Sequence, residues 1–316
     1  MAAFGLFGGH AADPSGVMKL TTAAANGDAA AHKALVALQN TGKDPALASR
    51  LNVWWRQLSP TAHQRLTSRF PQLIGSLNGL PSLIRDQGNR RYLADQKSSI
   101  SAELTRLRAQ SPEEAEEAIK ELELRMRQIA SVEMGLSLGG QNSRAHAYLL
   151  QLELGGLGKT AISFGNPDDA DNIVAYVPGT GTKLDGFGDG DARRVATMWD
   201  QANSFAKSGT KVASIAWLGY AAPQWGSAGP KHTPATLEDA EAGAPALAAF
   251  AVGLHAAHQA ATDARFTVLG HSYGSTVTGL AARLRPKSFA DQLIFVGSPG
   301  VGALRAEAGC GFGMGG

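Results

Sequence analysis

The stretch GHSYG, residues 270–274, has the G-x-S-x-G spacing that is typical of a nucleophilic serine. The apolar run FTVL (266–269) precedes it, and a helix-compatible segment, STVTGLAARL (275–284), follows it. A tight turn from strand to helix raises a serine hydroxyl above the carboxyl edge of a sheet. The glycines are needed because a Cβ at either position would collide with the neighbouring strand or helix. Ser272 is therefore the predicted nucleophile.

The same spacing recurs in GLSLG, residues 135–139. This second copy follows a helical pattern and runs into GQNSR, so no strand is predicted before it and no helix after it. We interpret it as a loop without a catalytic role.

The segment VPGTGT, residues 177–182, supplies a glycine-containing loop after an earlier apolar run, at the edge where such sheets bind ligands. Acyl transfer needs N–H donors that stabilise an oxyanion. The turn directs the N–H of Tyr273 towards a substrate oxygen, and Thr180 or Gly181 could supply the second N–H. A phosphate-binding loop is the alternative, but PGTGTK lacks the G-x-x-x-x-G-K-[ST] spacing.

A serine hydroxyl needs a base, and no histidine follows Ser272 in the chain. His271 is its neighbour, and adjacent side chains at a strand end point to opposite sides. His255 and His258 lie near the apolar stripe of a long helix, predicted over about residues 244–261, which favours packing. His232, in the loop SAGPKHTPA, is a weak candidate for the base.

Acidic side chains offer little more. Asp291 precedes the last predicted strand, which places it at the opposite edge of the sheet from Ser272. Asp185, Asp189 and Asp191 could bind a cation, but solvated loop carboxylates are the favoured interpretation. We predict neither a metal nor a cofactor.

Three aromatic residues, Trp217, Tyr220 and Trp225, surround the end of another apolar run, in WLGYAAPQW. They could line an acyl pocket, or they could be ordinary packing after a buried strand.

The elements that must position these residues fall into two halves. Residues 17–138 have helical periodicity, with a capping serine before proline at Ser59-Pro60 and Ser111-Pro112, and Glu114 completing a capping box. Apolar residues at three- and four-residue steps between Ile100 and Val132 predict a helical hairpin that packs on the second half. A coiled coil for a partner is the alternative.

From residue 139 to 302, short apolar runs alternate with helical stretches, after two opening strands that suit an antiparallel pair. Continuous apolar strands are typical of a sheet covered by helices on both faces. We therefore predict an α/β fold with a mostly parallel, doubly wound sheet of about six strands. Residues 1–16 and 303–316 are predicted as a flexible start and a glycine-rich tail.

Composition narrows the function. The 316 residues are 44% hydrophobic and carry a net charge of +2, which excludes wholesale disorder and argues against nucleic acid as a partner. No run approaches the about 20 apolar residues of a membrane span. The start has no signal-peptide pattern, and Cys310 has no partner for an internal disulfide. We expect a cytoplasmic protein, and no oligomeric state is predicted.

Together, GHSYGS, VPGTGT, AWLGYAAPQ and FVGSPGVG resemble the α/β-hydrolase superfamily, and more narrowly a bacterial branch of unknown function. A helical lead-in at residues 58–90 resembles that branch as well, so the resemblance covers about residues 50–302. It implies Ser272 as nucleophile, an oxyanion hole formed by the 177–182 loop and Tyr273, and hydrolysis of an acyl-ester or related small-molecule substrate.

The order of a catalytic triad in this fold is serine, acid, histidine. Because the residues after Ser272 supply neither partner, the sequence predicts impaired catalysis and a C-terminally truncated hydrolase whose last strand is an uncovered edge. Two alternatives stay open. One is a binding or scaffold protein that uses the helical region as its interface, and the other is a nucleotide-binding protein.

Overall fold

The computed structural model describes residues 14–41, 44–110, 113, 115–226, 233–260, 263–285 and 289–302. The described part of the chain begins with a helical region and continues into a six-stranded sheet flanked by helices. The predicted α/β class with a helical lead-in is therefore confirmed. The glycine-rich tail from residue 303, Cys310 and His232 lie outside the described residues.

Seven helices form the described part of the N-terminal region. They are α1 (Pro14–Ala25), α2 (Ala29–Asn40), α3 (Leu47–Gln57), α4 (Pro60–Arg69), α5 (Pro71–Ser76), α6 (Ser82–Gln110) and α7 (Glu116–Ser137). The Ser59 side chain accepts a hydrogen bond from the Ala62 N–H, as expected of a capping serine before Pro60. The predicted capping box of Ser111, Pro112 and Glu114 lies outside the described residues.

Helices α6 and α7 form the predicted hairpin. Ile100, Leu104 and Ile129 are buried where the hairpin packs on the sheet. Lys97 bridges to Glu133 at 2.8 Å between the two helices. The second G-x-S-x-G copy, 135–139, was interpreted as a loop, but its first three residues form the last turn of α7. No strand precedes it in the described part of the chain, as expected.

The sheet contains both antiparallel and parallel ladders. Its strands are β1 (Ala147–Glu153), β2 (Lys159–Phe164), β3 (Asn172–Val177), β4 (Val212–Leu218), β5 (Arg265–His271) and β6 (Gln292–Val296), in the order β1-β2-β4-β3-β5-β6. Strands β1, β2 and β4 pair antiparallel, and β4, β3, β5 and β6 pair parallel. Because Val177 pairs with Gly270 and His271 with Val296, the carboxyl ends of β3, β5 and β6 meet at one edge.

The remaining helices cover the two faces of the sheet. They are α8 (Leu184–Phe187), α9 (Arg193–Phe205), α10 (Glu238–Ala257) and α11 (Tyr273–Leu284). Helices α10 and α11 pack on one face, and α7, α8 and α9 pack on the other. A π-helical turn, Gly188–Ala192, joins α8 to α9, and its Gly188 N–H donates to the Ser131 hydroxyl of α7.

Helix α10 begins at Glu238, earlier than the predicted start at about residue 244, and it contains Pro245. The difference has a tertiary cause, because the N–H of Ala240 near the helix start donates to the side chain of Tyr273. Among the described helices, α10 is long and apolar enough to cross a membrane by length and composition. More than half of that stretch is buried in the protein, and buried core helices can have the same length and composition.

The two edge strands of the sheet, β1 and β6, differ in how far other parts of the protein cover them. Polar side chains of α6 cover β1, because Asp86 accepts from the Leu149 N–H at 2.7 Å and Asn89 donates to the Leu149 carbonyl at 2.9 Å. At the other edge, Ile294, Phe295 and Val296 of β6 are exposed in the described structure. Among the described residues, no strand pairs with the outer side of β6, in agreement with the predicted uncovered edge.

A buried polar cluster joins the helical region to the sheet. The Asp168 carboxylate, in the loop before β3, accepts from the Ser82 N–H and from the Ser82 hydroxyl, both at 2.6 Å, at the start of α6. Arg85, one turn later, is 2% exposed. Burial lowers the pKa of Arg85 to about 10, and the nearby Asp168 carboxylate opposes that shift. Asp168 thus caps α6, and its negative charge favours the charged form of the buried Arg85.

We predict that Asp168→Ala lowers the free energy of unfolding by about 3 kcal/mol, because it removes two buried charge-assisted hydrogen bonds and a negative charge that favours the buried Arg85 cation. Urea denaturation measures the change. The neighbouring Asp169, whose carboxylate pairs with Lys211 in an exposed ion pair, provides the control. Asp169→Ala should cost less than about 1 kcal/mol. Equal effects of the two variants would contradict a structural role for the buried cluster.

Candidate active site

Ser272 lies in a sharp turn between a strand and a helix. Strand β5 ends at His271, helix α11 begins at Tyr273, and Ser272 has φ 53° and ψ −129°. Asn142 is the other non-glycine residue with positive φ in the described structure. Such a backbone costs an L-residue about 1–3 kcal/mol, so the surroundings must impose it. The predicted strand, turn and helix are present, and they leave the Ser272 side chain half-buried at the carboxyl edge.

The flanking glycines are required by close backbone approaches. A Cβ at Gly270 would lie 2.6 Å from the Ser275 Cα, and a Cβ at Gly274 would lie 2.2 Å from the Val177 carbonyl oxygen. Real Cβ atoms essentially never approach so closely. The structure thus supplies the steric reason for the glycine spacing.

The loop after β3 packs directly on the turn. Gly179, in the predicted oxyanion loop, approaches Ser272 so closely that an added Cβ would lie 2.6 Å from the Ser272 Cβ and 3.0 Å from its Oγ. The sequence placed this loop at the right edge but did not single out Gly179. A glycine between a proline and a threonine after a buried strand is the only sequence signal for this contact.

The N–H groups of the loop differ in what they contact. The Gly181 N–H donates to the Pro223 carbonyl at 2.8 Å, so it is already engaged. Within the described residues, neither the Thr180 N–H nor the Tyr273 N–H donates to a protein acceptor. Of the two candidates in the loop, Thr180 is therefore favoured over Gly181.

The residue before Ser272 belongs to a polar cluster that sequence reasoning missed. His271 stacks on Tyr176 of β3, with ring centroids 6.1 Å apart. Arg194 donates to the Tyr176 hydroxyl at 2.9 Å and also bonds to Asp191, whose side chain is 13% exposed. Burial raises the pKa of Tyr176 to about 12 and also raises the pKa of Asp191.

The other described histidines considered as bases lie elsewhere. His258 contacts the Ala170 carbonyl through Nε2 at 3.0 Å, and His255 packs edge-on against Phe266. Ala170 precedes β3 and Phe266 is near the start of β5, so both histidines lie towards the amino edge of the sheet. Their expected packing role fits this placement. The weak candidate His232 is outside the described residues.

The three aspartates of the 185–191 segment are not brought together as a metal site. Asp189 pairs with Arg193, and Asp191 pairs with Arg194. Among the described residues, no group of three or more His, Cys, Asp or Glu side chains could hold a metal ion. Asp291 accepts from the Phe266 N–H at 2.7 Å, at the amino edge, where the sequence placed it.

The three aromatic residues have different environments. Trp217 is fully buried, and Tyr220 is 2% exposed and stacked on it with ring centroids 6.2 Å apart. Because α10 covers both residues, they are packing residues of the core and do not line a pocket. Trp225 is 78% exposed, and its ring lies 3.9 Å from where a Cβ of Gly181 would be.

Comparison with known proteins gives relatives of greater length. The uncharacterized protein Rv2079 of Mycobacterium tuberculosis is 30% identical over 273 residues, which cover 83% of this chain and 41% of that protein. The uncharacterized protein Rv0963c of the same organism is 31% identical over 152 residues, covering 46% of this chain and 54% of that protein. The chain thus spans about two fifths of the length of the first of these relatives.

One solved structure, of the esterase Est22, matches with 18% sequence identity and a TM-score of 0.28, covering 62% of this chain and 53% of that one. A family model described as alpha/beta hydrolase matches residues 155–312. Because the matched segment is half of the 316 residues, the chain belongs to the alpha/beta hydrolase family.

Proposed function

We propose that the chain is a serine hydrolase that cleaves carboxylic esters or related acyl compounds, with Ser272 as nucleophile. One observation supports the proposal above all, the positive φ of Ser272 in a tight turn from β5 to α11. Gly179, in the loop after β3, packs against this turn. A strained backbone of this kind persists only where the structure holds it, and such strain concentrates at functional sites.

The chemistry is an acyl transfer. The Ser272 Oγ attacks the acyl carbonyl carbon, the bond to the leaving oxygen breaks, and the alcohol leaves with a proton. Water then attacks the acyl-serine ester and releases the acid. The oxyanion of each tetrahedral intermediate accepts hydrogen bonds from the N–H groups of Tyr273 and Thr180, and the start of α11 adds partial positive charge there.

The base that takes the Ser272 proton is not assigned to a described residue. His255 and His258 make their contacts towards the amino edge, and His271 stacks on Tyr176. His232 stays the weak candidate. Loss of one triad member lowers turnover by a factor on the order of 10⁴–10⁶, so we propose slow turnover, with covalent labelling of Ser272 as the suitable assay.

The first test is labelling with a fluorophosphonate, which reacts with activated serine hydroxyls. We expect one labelled peptide, containing Ser272, and loss of labelling in Ser272→Ala. Ser137→Ala, which changes the other G-x-S-x-G copy, is the control and should label at the wild-type rate. A folded wild-type chain that is not labelled would contradict the proposed function and favour a binding or scaffold role.

A second prediction concerns the contact between Gly179 and Ser272. Gly179→Ala introduces a Cβ that meets the serine side chain, so labelling should slow at least about 100-fold, as expected when a reacting group is displaced by about 1 Å. Gly186→Ala in α8 adds a Cβ that meets nothing within 4 Å and should label normally. Normal labelling of a folded Gly179→Ala variant would show that this contact does not position the nucleophile.

A third prediction concerns the acyl group. We expect Trp225 to contact it, because its exposed indole lies beside the oxyanion loop. Trp225→Ala should raise the KI of a long-alkyl fluorophosphonate about fivefold, equivalent to about 1 kcal/mol of apolar contact, and leave that of a short-alkyl probe unchanged. Phe205→Ala at the end of α9 removes another exposed ring, 86% exposed, as the control. Equal KI values for the long probe in all three proteins would exclude Trp225 from the acyl site.

A further inference from the structure

We propose that the segment after β4, residues 219–226, is a clamp that fixes the Thr180 N–H relative to Ser272, with Tyr220 as its principal positioning residue. Residues 219–226 form this clamp loop. The inference rests on the proposed function, since it assigns a role in the same oxyanion hole to residues that do not touch the substrate.

The clamp loop holds the oxyanion loop on both sides of Thr180. The Tyr220 hydroxyl donates to the Pro178 carbonyl at 2.7 Å, two residues before Thr180. After Thr180, the Gly181 N–H donates to the Pro223 carbonyl at 2.8 Å. Gln224 Nε2 donates to the Thr182 carbonyl at 3.2 Å. Hydrogen bonds from the clamp loop thus hold the peptide groups on both sides of Thr180. The Thr180 N–H itself has no protein acceptor within the described residues.

Tyr220 has almost no freedom to move. Its ring stacks on the buried Trp217 with an interplanar angle of 11°. Helix α10 packs closely against the Cβ of Tyr220, because an added Cβ at Gly243 of that helix would lie 2.7 Å from it. A hydroxyl on a ring held this tightly fixes the position of the carbonyl that accepts from it, which is how supporting hydrogen bonds pre-organise a site.

Residues between β4 and the first turn of α10 also bond to Tyr273, whose N–H is the other proposed oxyanion donor. The Tyr273 hydroxyl donates to the Thr236 carbonyl at 2.6 Å and accepts from the Ala240 N–H at 3.1 Å. Tyr273 carries the second proposed oxyanion N–H. Both halves of the proposed hole are therefore bonded to residues that lie between the end of β4 and the first turn of α10.

These contacts are directed to the loop rather than to the substrate. Tyr220 is 2% exposed, so its hydroxyl reaches the Pro178 carbonyl and not the open edge where Ser272 lies. Tyr220 therefore acts by holding the donor in place. The expected consequence of losing its hydroxyl is a slower chemical step with unchanged affinity.

The test uses Tyr220→Phe in the full chain, with two readouts. In hydrogen–deuterium exchange, the Gly181 amide should exchange about tenfold faster, because the oxyanion loop loses the hydrogen bond from Tyr220 to the Pro178 carbonyl. The substitution does not remove the hydrogen bond from the Gly181 N–H to the Pro223 carbonyl. The amides of β3 should exchange at the wild-type rate. In fluorophosphonate labelling, kinact should fall about tenfold with KI unchanged.

Tyr148→Phe on β1, at the far edge of the sheet, is the matched control and should change neither readout. Gln224→Glu keeps the size of the side chain but replaces the donor to Thr182, and it should also speed exchange at Gly181.

Exchange at Gly181 that is unchanged in a folded Tyr220→Phe variant would overturn the clamp, and so would exchange that rises equally throughout β3. If the wild-type chain is not labelled at all, the proposed hydrolase function fails, and the exchange data alone still decide whether the clamp exists.

Discussion

The backbone of Ser272 is held at a positive φ by the ends of three parallel strands. Its N–H donates to the Val296 carbonyl at the end of β6, at 2.8 Å, and its carbonyl accepts from the Ser275 N–H in the first turn of α11. Gly179, after β3, packs against its Cβ. A conformation that costs about 1–3 kcal/mol is stable here because neighbouring elements hold it from several sides. The geometry of the candidate nucleophile therefore depends on the register of β3, β5 and β6.

That register depends in turn on how the sheet is supported. Near its antiparallel edge, Asp168 caps α6, and polar side chains of α6 satisfy the backbone of β1. Helices α10 and α11 bury one face of the central strands. The helical region is therefore a structural support for the sheet. Apart from Leu293, the side chains of β6 lack such cover in the described structure, although the Val296 carbonyl of that strand accepts from the Ser272 N–H.

Local sequence was sufficient where the determinants are close together in the chain. The turn at Ser272 was predictable because a short apolar run, two glycines and a helical segment are contiguous. The class of the fold followed from alternating apolar runs and helical stretches in the same way. The start of α10 was misplaced because its early N–H at Ala240 is bonded by the side chain of Tyr273, a contact that no local pattern reveals.

The sequence by itself determined the turn at Ser272, the run of buried strands up to β5 and the loop that faces the serine, since hydrophobic periodicity and steric limits on residues next to glycine are local properties. Only the tertiary structure decided that the Gly181 N–H is engaged while the Thr180 N–H has no acceptor among the described residues, because the acceptor of Gly181, Pro223, belongs to another loop. It also decided that Trp217 and Tyr220 are core residues and that Trp225 is exposed. Burial depends on what the packing of α10 covers, and that is fixed by contacts between residues far apart in the chain.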